Sequence, residues 1–314
     1  MNASAPVTEM IDDEPVRKPR WLTWLLVILP AWCIVSTIAA LWYYFHREER
    51  DAQVENERFA QAISIPMLED DLNKIVQWIG PRNCASDAEK IQLSRAASMI
   101  EGLLGPTNTG YDVTKHRDVA EWPIMQVSLA GKNRDAAPLW IITSYDSPAN
   151  SRGAETNASG LAATLAAAQA TARDQPTRPV HFLFLPHVYH HAGSADESFE
   201  KIRTILTSNN SPYAVWWIEA MGTSEKIFIE TNDSQQPWLH VAAGIAQNPL
   251  ELPPAFFLQK LTEDGIDLNR ISTQLGSIPA EQNERVPFAP TVAISSGKLV
   301  EMIRRTTLLP VAAD

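Results

Sequence analysis

Cysteine is nearly absent: the 314 residues hold two, Cys33 and Cys84. That excludes a disulfide scaffold and any four-cysteine zinc module. Basic residues are in deficit, 26 Lys and Arg against 37 Asp and Glu, for a formal net charge of −11. A nucleic-acid binder needs a basic footprint, and adhesion to anionic lipid by charge alone needs one too, so both are disfavoured. Thirteen Gly and 22 Pro leave no room for collagen-like or linker-like character. Several catalytic signatures are also missing. There is no Gly-x-Gly-x-x-Gly, no P-loop, no His-Glu-x-x-His and no Gly-x-Ser-x-Gly elbow. Ser295-Ser296-Gly297-Lys298 lacks the upstream glycine of a phosphate loop. What remains is ordinary for a folded protein, with 45% hydrophobic and 20% charged residues.

Charge is also absent locally. From Trp21 to Phe45 no residue is charged. About 20 apolar residues cross a bilayer core, so this stretch is long enough to span one. Trp21 and Trp24 stand at one end and Trp42, Tyr43 and Tyr44 at the other, the aromatic belts of two interfaces. A signal peptide has a shorter apolar core of ~7–15 residues and a small-residue cleavage site, and Trp42-Tyr43-Tyr44-Phe45 offers none. The expectation is an uncleaved single-pass helix over 21–45. It follows a disordered polar tail over 1–20 and precedes a juxtamembrane linker or helix over 46–65. Arg17, Lys18 and Arg20 before the span balance Arg47, Arg50 and Arg58 after it, so the positive-inside count is tied. The short tail is the simpler end to leave in the cytoplasm, which puts the domain on the outer, periplasmic or extracellular, side.

Residues 66–314 suit one domain. Helical periodicity marks 68–80 and 87–104. Apolar runs at 125–129, 139–145, 181–186, 214–220 and 226–230 then alternate with helical stretches at 158–172, 195–206 and 238–246. Near-continuous apolar strands between helices predict a mostly parallel central sheet with helices on both faces, an α/β fold. Function in such sheets gathers at the carboxyl ends of the strands.

Those ends carry Tyr145-Asp146-Ser147, then Gly153-Ala154-Glu155-Thr156-Asn157-Ala158-Ser159-Gly160 opening an Ala-rich helix. Next come Pro186-His187-Val188-Tyr189-His190-His191-Ala192-Gly193-Ser194, Glu219-Ala220-Met221-Gly222 and, late in the chain, Asn283-Glu284-Arg285-Val286-Pro287-Phe288. In order and spacing they resemble the zinc-dependent aminopeptidase family that also holds the glutaminyl cyclases and transferrin-receptor-like domains. The resemblance begins at Ile79-Gly80-Pro81-Arg82 and runs to about Ser296.

The resemblance implies a site of one or two zinc ions with a carboxylate base to activate metal-bound water. This chain departs from that pattern. The family's metal-ligand positions are occupied by Ser144, Thr156, Val188, Glu219 and Arg285, and its catalytic positions by Asp146 and His187. Val188 has no lone pair, Arg285 carries a permanent positive charge, and only Glu219 remains an ordinary ligand. The backbone-forming Gly153, Asn157, Gly160 and Pro287 persist.

No catalytic residue is therefore expected intact, and no metal or other cofactor. The expected cleft is Asp146, Thr156, Asn157, His187, Tyr189, His190, Glu219 and Arg285, a binding or scaffold module for a peptide or protein partner. The alternative is an active membrane-anchored metallo-aminopeptidase or cyclase-like hydrolase that holds zinc through unorthodox ligands. His187, His190 and His191 are the one alternative imidazole set, with no carboxylate after them until Asp196. Arg285 is expected to reach the space the metal would fill and to pair with Asp146 or Glu219.

Overall fold

The computed structural model describes residues 20–61, 63–117, 122–189, 195–208, 211–242, 246–249, 256–276 and 278–308. The chain divides into two units, Met1–Glu57 and Arg58–Asp314. Helix α1, Arg20–Gln61, supplies the described part of the first. Its window Val27–Tyr44 is long and apolar enough to cross a membrane, and Trp32, Val35, Ile38 and Trp42 along it are exposed. Two polar side chains in this stretch are satisfied within the helix: the Ser36 and Thr37 hydroxyls both donate to the Cys33 carbonyl, at 3.0 and 2.7 Å. A hydroxyl bonded back to its own helix can sit in an apolar medium without an orphan donor.

The second unit is built on an eight-stranded sheet in the order β1-β2-β4-β3-β5-β8-β6-β7. The strands are β1 Thr114–His116, β2 Ile124–Leu129, β3 Leu139–Ser144, β4 Val180–Leu185, β5 Ala214–Ile218, β6 Phe228–Thr231, β7 Ala246–Pro249 and β8 Leu268–Ser272. The central strands β4, β3, β5 and β8 are mutually parallel. Antiparallel pairs β2–β4 and β6–β8 flank them. The fold is thus the expected α/β type with a mostly parallel middle.

Alternation along the strands splits the core in two. Ile141, Phe182, Phe184, Trp216 and Ile218 face one way, and there Leu72 of α2 (Ile65–Asn73), Leu93 of α3 (Asp87–Leu104), Leu165 of α4 (Ser159–Thr171) and Leu299 of α7 (Ala289–Leu308) cover them. Trp140, Ile142, Leu183, Val215 and Trp217 face the other way, under Phe199 and Ile202 of α5 (Ala195–Thr207) and Leu261 of α6 (Phe256–Glu263). Both sheet faces are dry, which is why β3 and β5 read as unbroken apolar runs.

Two readings need correcting. Residues 238–246, whose apolar spacing mimics a helix, form a 3-10 turn over Pro237–Ala242, and Ala246 opens β7, parallel to β6. The open sheet edge beside β6 offers this segment ladder hydrogen bonds that a short helix could not match. The strand β8 was not anticipated, because Asn269, Arg270 and Ser272 interrupt its apolar pattern.

Candidate functional site at the carboxyl ends of the central strands

Three adjacent parallel strands deliver the site. Asp146 follows β3 by two residues, His187-Val188-Tyr189 follow β4, and Glu219 follows β5. Asp146 and Glu219 are both buried, at 0% and 4% exposure. Helix α4 is drawn against the β5 exit at Gly160, where a Cβ would lie 3.1 Å from Glu219 Cα. The contact would be tighter than most side chains make, so a Cβ there would push the helix or the strand end back by a few tenths of an ångström, and the glycine lets them approach closely.

Tyr189 joins the two carboxylates. Its backbone N–H donates to Asp146 Oδ2 at 2.8 Å, and its hydroxyl lies 3.2 Å from Glu219 Oε1 and 3.2 Å from the Thr156 carbonyl oxygen. Burial raises the phenol well above its usual range, and Glu219 and Asp146 add to the effect. It is therefore a neutral donor at physiological pH.

The other oxygen of Glu219 accepts from Arg270 Nε at 2.7 Å. Arg270 Nη1 pairs with buried Glu230, and Nη2 donates to the Gly276 carbonyl at 3.2 Å. One planar fork thus serves two carboxylates. Burial pulls the Arg270 guanidinium down, but Glu219 and Glu230 together outweigh it and leave it raised. Sequence reasoning missed Arg270, and its one signal was an arginine inside a short, partly polar strand. Arg285, expected in this role, is exposed and forms no ion pair with Asp146 or Glu219. The late motif instead turns Asn283 inward, where its side-chain oxygen accepts from Thr156 N at 2.9 Å and Thr156 Oγ1 at 2.7 Å.

The remaining positions serve packing and turn geometry. Asn157 donates from Nδ2 to the Ser144 carbonyl at 2.6 Å and to Ser144 Oγ at 2.5 Å. Its side-chain oxygen accepts from Arg82, a second buried arginine, which in the sequence marks only where the family resemblance begins. Arg82 also donates to the carbonyls of Tyr145 at 2.9 Å, Gly80 at 3.0 Å and Arg152 at 2.9 Å. Burial lowers it to about 10, against the pull of Asp146, so it stays cationic and knits the loops behind Asp146. Val188 packs into the apolar cluster around Ile142 and Leu185. His187 Nδ1 lies 3.1 Å from Cys84 Sγ, with its ring edge-on to Trp122 at 5.7 Å. His190, His191, Gly193 and Ser194 lie outside the described residues. Among the described residues no group of three or more His, Cys, Asp or Glu is placed to hold a metal ion.

Glu155 stands apart from this network. It is buried beside Gly222, where a Cβ would fall 2.6 Å from Glu155 Oε1 and 2.8 Å from Pro287 Cβ. Only glycine leaves room for that carboxyl. Burial pushes it up to about 7, with the Ser159 side chain and the Gly222 backbone pulling it partly back.

The comparisons agree with this architecture. Residues 125–186 match the model of Peptidase family M28. That segment holds β2 to β4 with Ser144, Asp146 and Thr156, and ends one residue before His187. No curated protein matches in sequence. Among solved structures, the LapA aminopeptidase of Legionella pneumophila is 12% identical with a TM-score of 0.57, over 82% of this chain and 75% of that one. A zinc aminopeptidase from Bacillus subtilis is 10% identical with a TM-score of 0.55, over 81% and 97%. A glutaminyl cyclase of Bacteroides thetaiotaomicron, bound to N-acetylhistamine, is 14% identical with a TM-score of 0.55, over 77% and 98%. The second unit thus has the zinc-aminopeptidase and glutaminyl-cyclase fold, and the chain is similar to Peptidase family M28 across the strands that lead into its site.

Proposed function

We propose that this is a membrane-anchored, aminopeptidase-like module that works without metal and holds a peptide or protein partner in the cleft at the strand ends. One observation carries the reading. Tyr189 is already hydrogen-bonded to both Asp146 and Glu219, and Arg270 neutralises Glu219 from its other oxygen. The charge that a dication would supply comes from a guanidinium.

The side chains at the family's metal positions do not fit a zinc ion. Ser144 Oγ is engaged by Asn157 and Thr156 Oγ1 by Asn283. Val188 is in the apolar core and Arg285 is exposed. Glu219 alone is a normal zinc donor, and a single carboxylate does not hold zinc. His187, at the family's base position, faces Cys84 instead. The scaffold persists around this altered set, as expected of a fold retained for binding.

The expected zinc content of the purified full-length protein after dialysis is far below one per chain, with no thermal shift on adding a chelator. Elemental analysis that returns about one zinc per chain, with a melting temperature that falls on chelation, overturns the reading in favour of a zinc hydrolase with unorthodox ligands.

Helix α1 supports the anchoring half of the proposal, and the proposal further puts the domain on the outer face. The full-length chain, Met1 included, is expected to stay with membranes through an alkaline carbonate wash. Protease added to cells stripped of any outer membrane, with the membrane that holds the helix intact, should then cut the domain and spare the tail. A mature N-terminus beyond Phe45 would make the span a cleaved leader and remove the anchor.

A further inference from the structure

We infer that the Arg178 guanidinium is an anion site: the free edge of its fork takes the carboxylate of a small organic acid at the entry of β4. The site lies at the end of the strands opposite the cleft, and the inference does not rest on the binding role proposed above.

Three arginines are buried among the described residues, Arg82, Arg178 and Arg270, and they differ in how far their donors are met. Arg82 donates to three carbonyls and to Asn157, and Arg270 to two carboxylates and a carbonyl. Arg178, at 2% exposure, makes a single hydrogen bond, from Nη1 to the Ala137 carbonyl at 3.1 Å. Its Nε–H is enclosed and unpartnered. Nη2 hydrogen-bonds to nothing among the described residues and is not enclosed. Nε–H and the neighbouring N–H of Nη2 point the same way along one edge of the guanidinium plane. Such a pair of donors grips a carboxylate through both of its oxygens.

The surroundings hold that edge in place and give it no counter-charge. Half-buried Tyr213 lies against one face of the guanidinium, its ring centre 3.4 Å from Cζ. The loop over 131–137 is pinned to the strand entry, where Lys132 N–H donates to the Pro176 carbonyl at 2.8 Å and Asn133 N–H to the Thr177 carbonyl at 2.9 Å. Gly131 permits this approach, since a Cβ there would fall 2.4 Å from the Arg178 carbonyl carbon. Burial pulls the guanidinium down, and Tyr213, not a carboxylate, is what pulls it back. Arginine stays cationic all the same. A buried charge is ordinarily paired, so an acid is owed here. On the same loop Lys132 and Arg134 are exposed, with Asp135 the one acid beside them. The entry is thus locally basic in a chain of net charge −11.

The geometry selects the ligand. Two parallel donors match the two oxygens of a carboxylate, whereas a phosphate brings further charge and oxygens that a second cation would have to meet. At 2% exposure the guanidinium can be reached only by a slender head such as acetate, not by the face of a protein. Binding exchanges an unpaired buried cation for a bidentate pair. Through Ala137 and Tyr213 it also ties the loop over 131–137 to the entries of β4 and β5.

The test uses the full-length chain in detergent, with sodium acetate titrated against sodium chloride at constant ionic strength and pH. The melting temperature should rise saturably with acetate, with half-saturation in the millimolar range that so small a ligand allows. At about tenfold excess over half-saturation the rise should be about 3–5 °C. Sodium phosphate should act more weakly. Hydrogen exchange with and without acetate should place the added protection in peptides covering 131–137, 176–180 and 213–215, a readout that needs no variant. Arg178→Lys keeps the charge and loses the fork, and should raise the half-saturating concentration by about tenfold or more. Three outcomes overturn the inference: acetate and chloride acting alike over the whole titration, phosphate binding more tightly than acetate, or saturable binding that protects other peptides or is unchanged in Arg178→Lys.

Discussion

Arg270→Ala is expected to be the most damaging single substitution around the site, costing on the order of 3–5 kcal/mol. The side chain is 6% exposed, against 5% for Glu219 and 2% for Glu230. Removing it leaves two carboxylates facing each other with no cation and little water. They must then take up a proton, draw water in, or open the strand ends. Two signatures separate this cause from lost packing. The deficit should narrow as pH falls, because the uncovered carboxyls can be protonated. It should also be partly recovered in the triple variant Arg270→Met, Glu219→Gln, Glu230→Gln, which removes the charges together. Arg270→Lys should recover less than the triple variant, since an ammonium cannot serve two carboxylates in one plane. The measurement is urea unfolding followed by near-ultraviolet circular dichroism, to which buried Trp216, Trp217 and Trp238 contribute. An Arg270→Ala midpoint equal to that of the parent would show the pair to be solvated and incidental.

This arginine also marks where sequence reading stopped. The framework was legible because its signals are local. Continuous apolar runs gave β3, β4 and β5, and helical spacing over 87–104 matches α3. The strand ends then located Asp146, Tyr189 and Glu219, all in one hydrogen-bonded network. What stayed hidden depends on contacts between distant segments. Nothing near Arg270 in sequence says that Glu230, its partner across the β6–β8 pair, will be buried with it. Arg82 was visible as a residue but not as a buried hub for three carbonyls and Asn157. Arg285 was chosen on motif position, and the chain there turns Asn283 inward and leaves Arg285 in solvent. A compensating cation beside Glu219 was the right physical demand, met from a different strand.

Glu155 gives the second large effect, with the opposite sign: Glu155→Gln should stabilise the protein at alkaline pH. The folded carboxyl titrates at about 7 against an ordinary value of 4.5. Between those values the folded state holds a proton that the unfolded state has released, so stability falls as pH rises through that window. Below it both states are protonated and the residue costs nothing. Above it the full penalty applies, with a ceiling of about 3 kcal/mol from the size of the shift. Glutamine has the shape of the protonated acid and fits beside Gly222, so the variant and parent should agree below about pH 4.5, diverge between there and about pH 7, and differ by a constant amount above it. Asp71, buried and raised to about 6 mainly by desolvation, keeps its own slope in both proteins. The variant curve should therefore flatten without becoming level. Identical denaturation midpoints for the two proteins at pH 8.5 would mean that water reaches Glu155 and that the carboxyl ionises freely. A confirmed gain would identify a carboxyl retained at a standing cost next to Thr156, whose N–H and hydroxyl hold Asn283 at 2.9 and 2.7 Å. Residues kept at such a cost cluster where a surface binds or reacts, because a purely structural position drifts toward the stabler side chain.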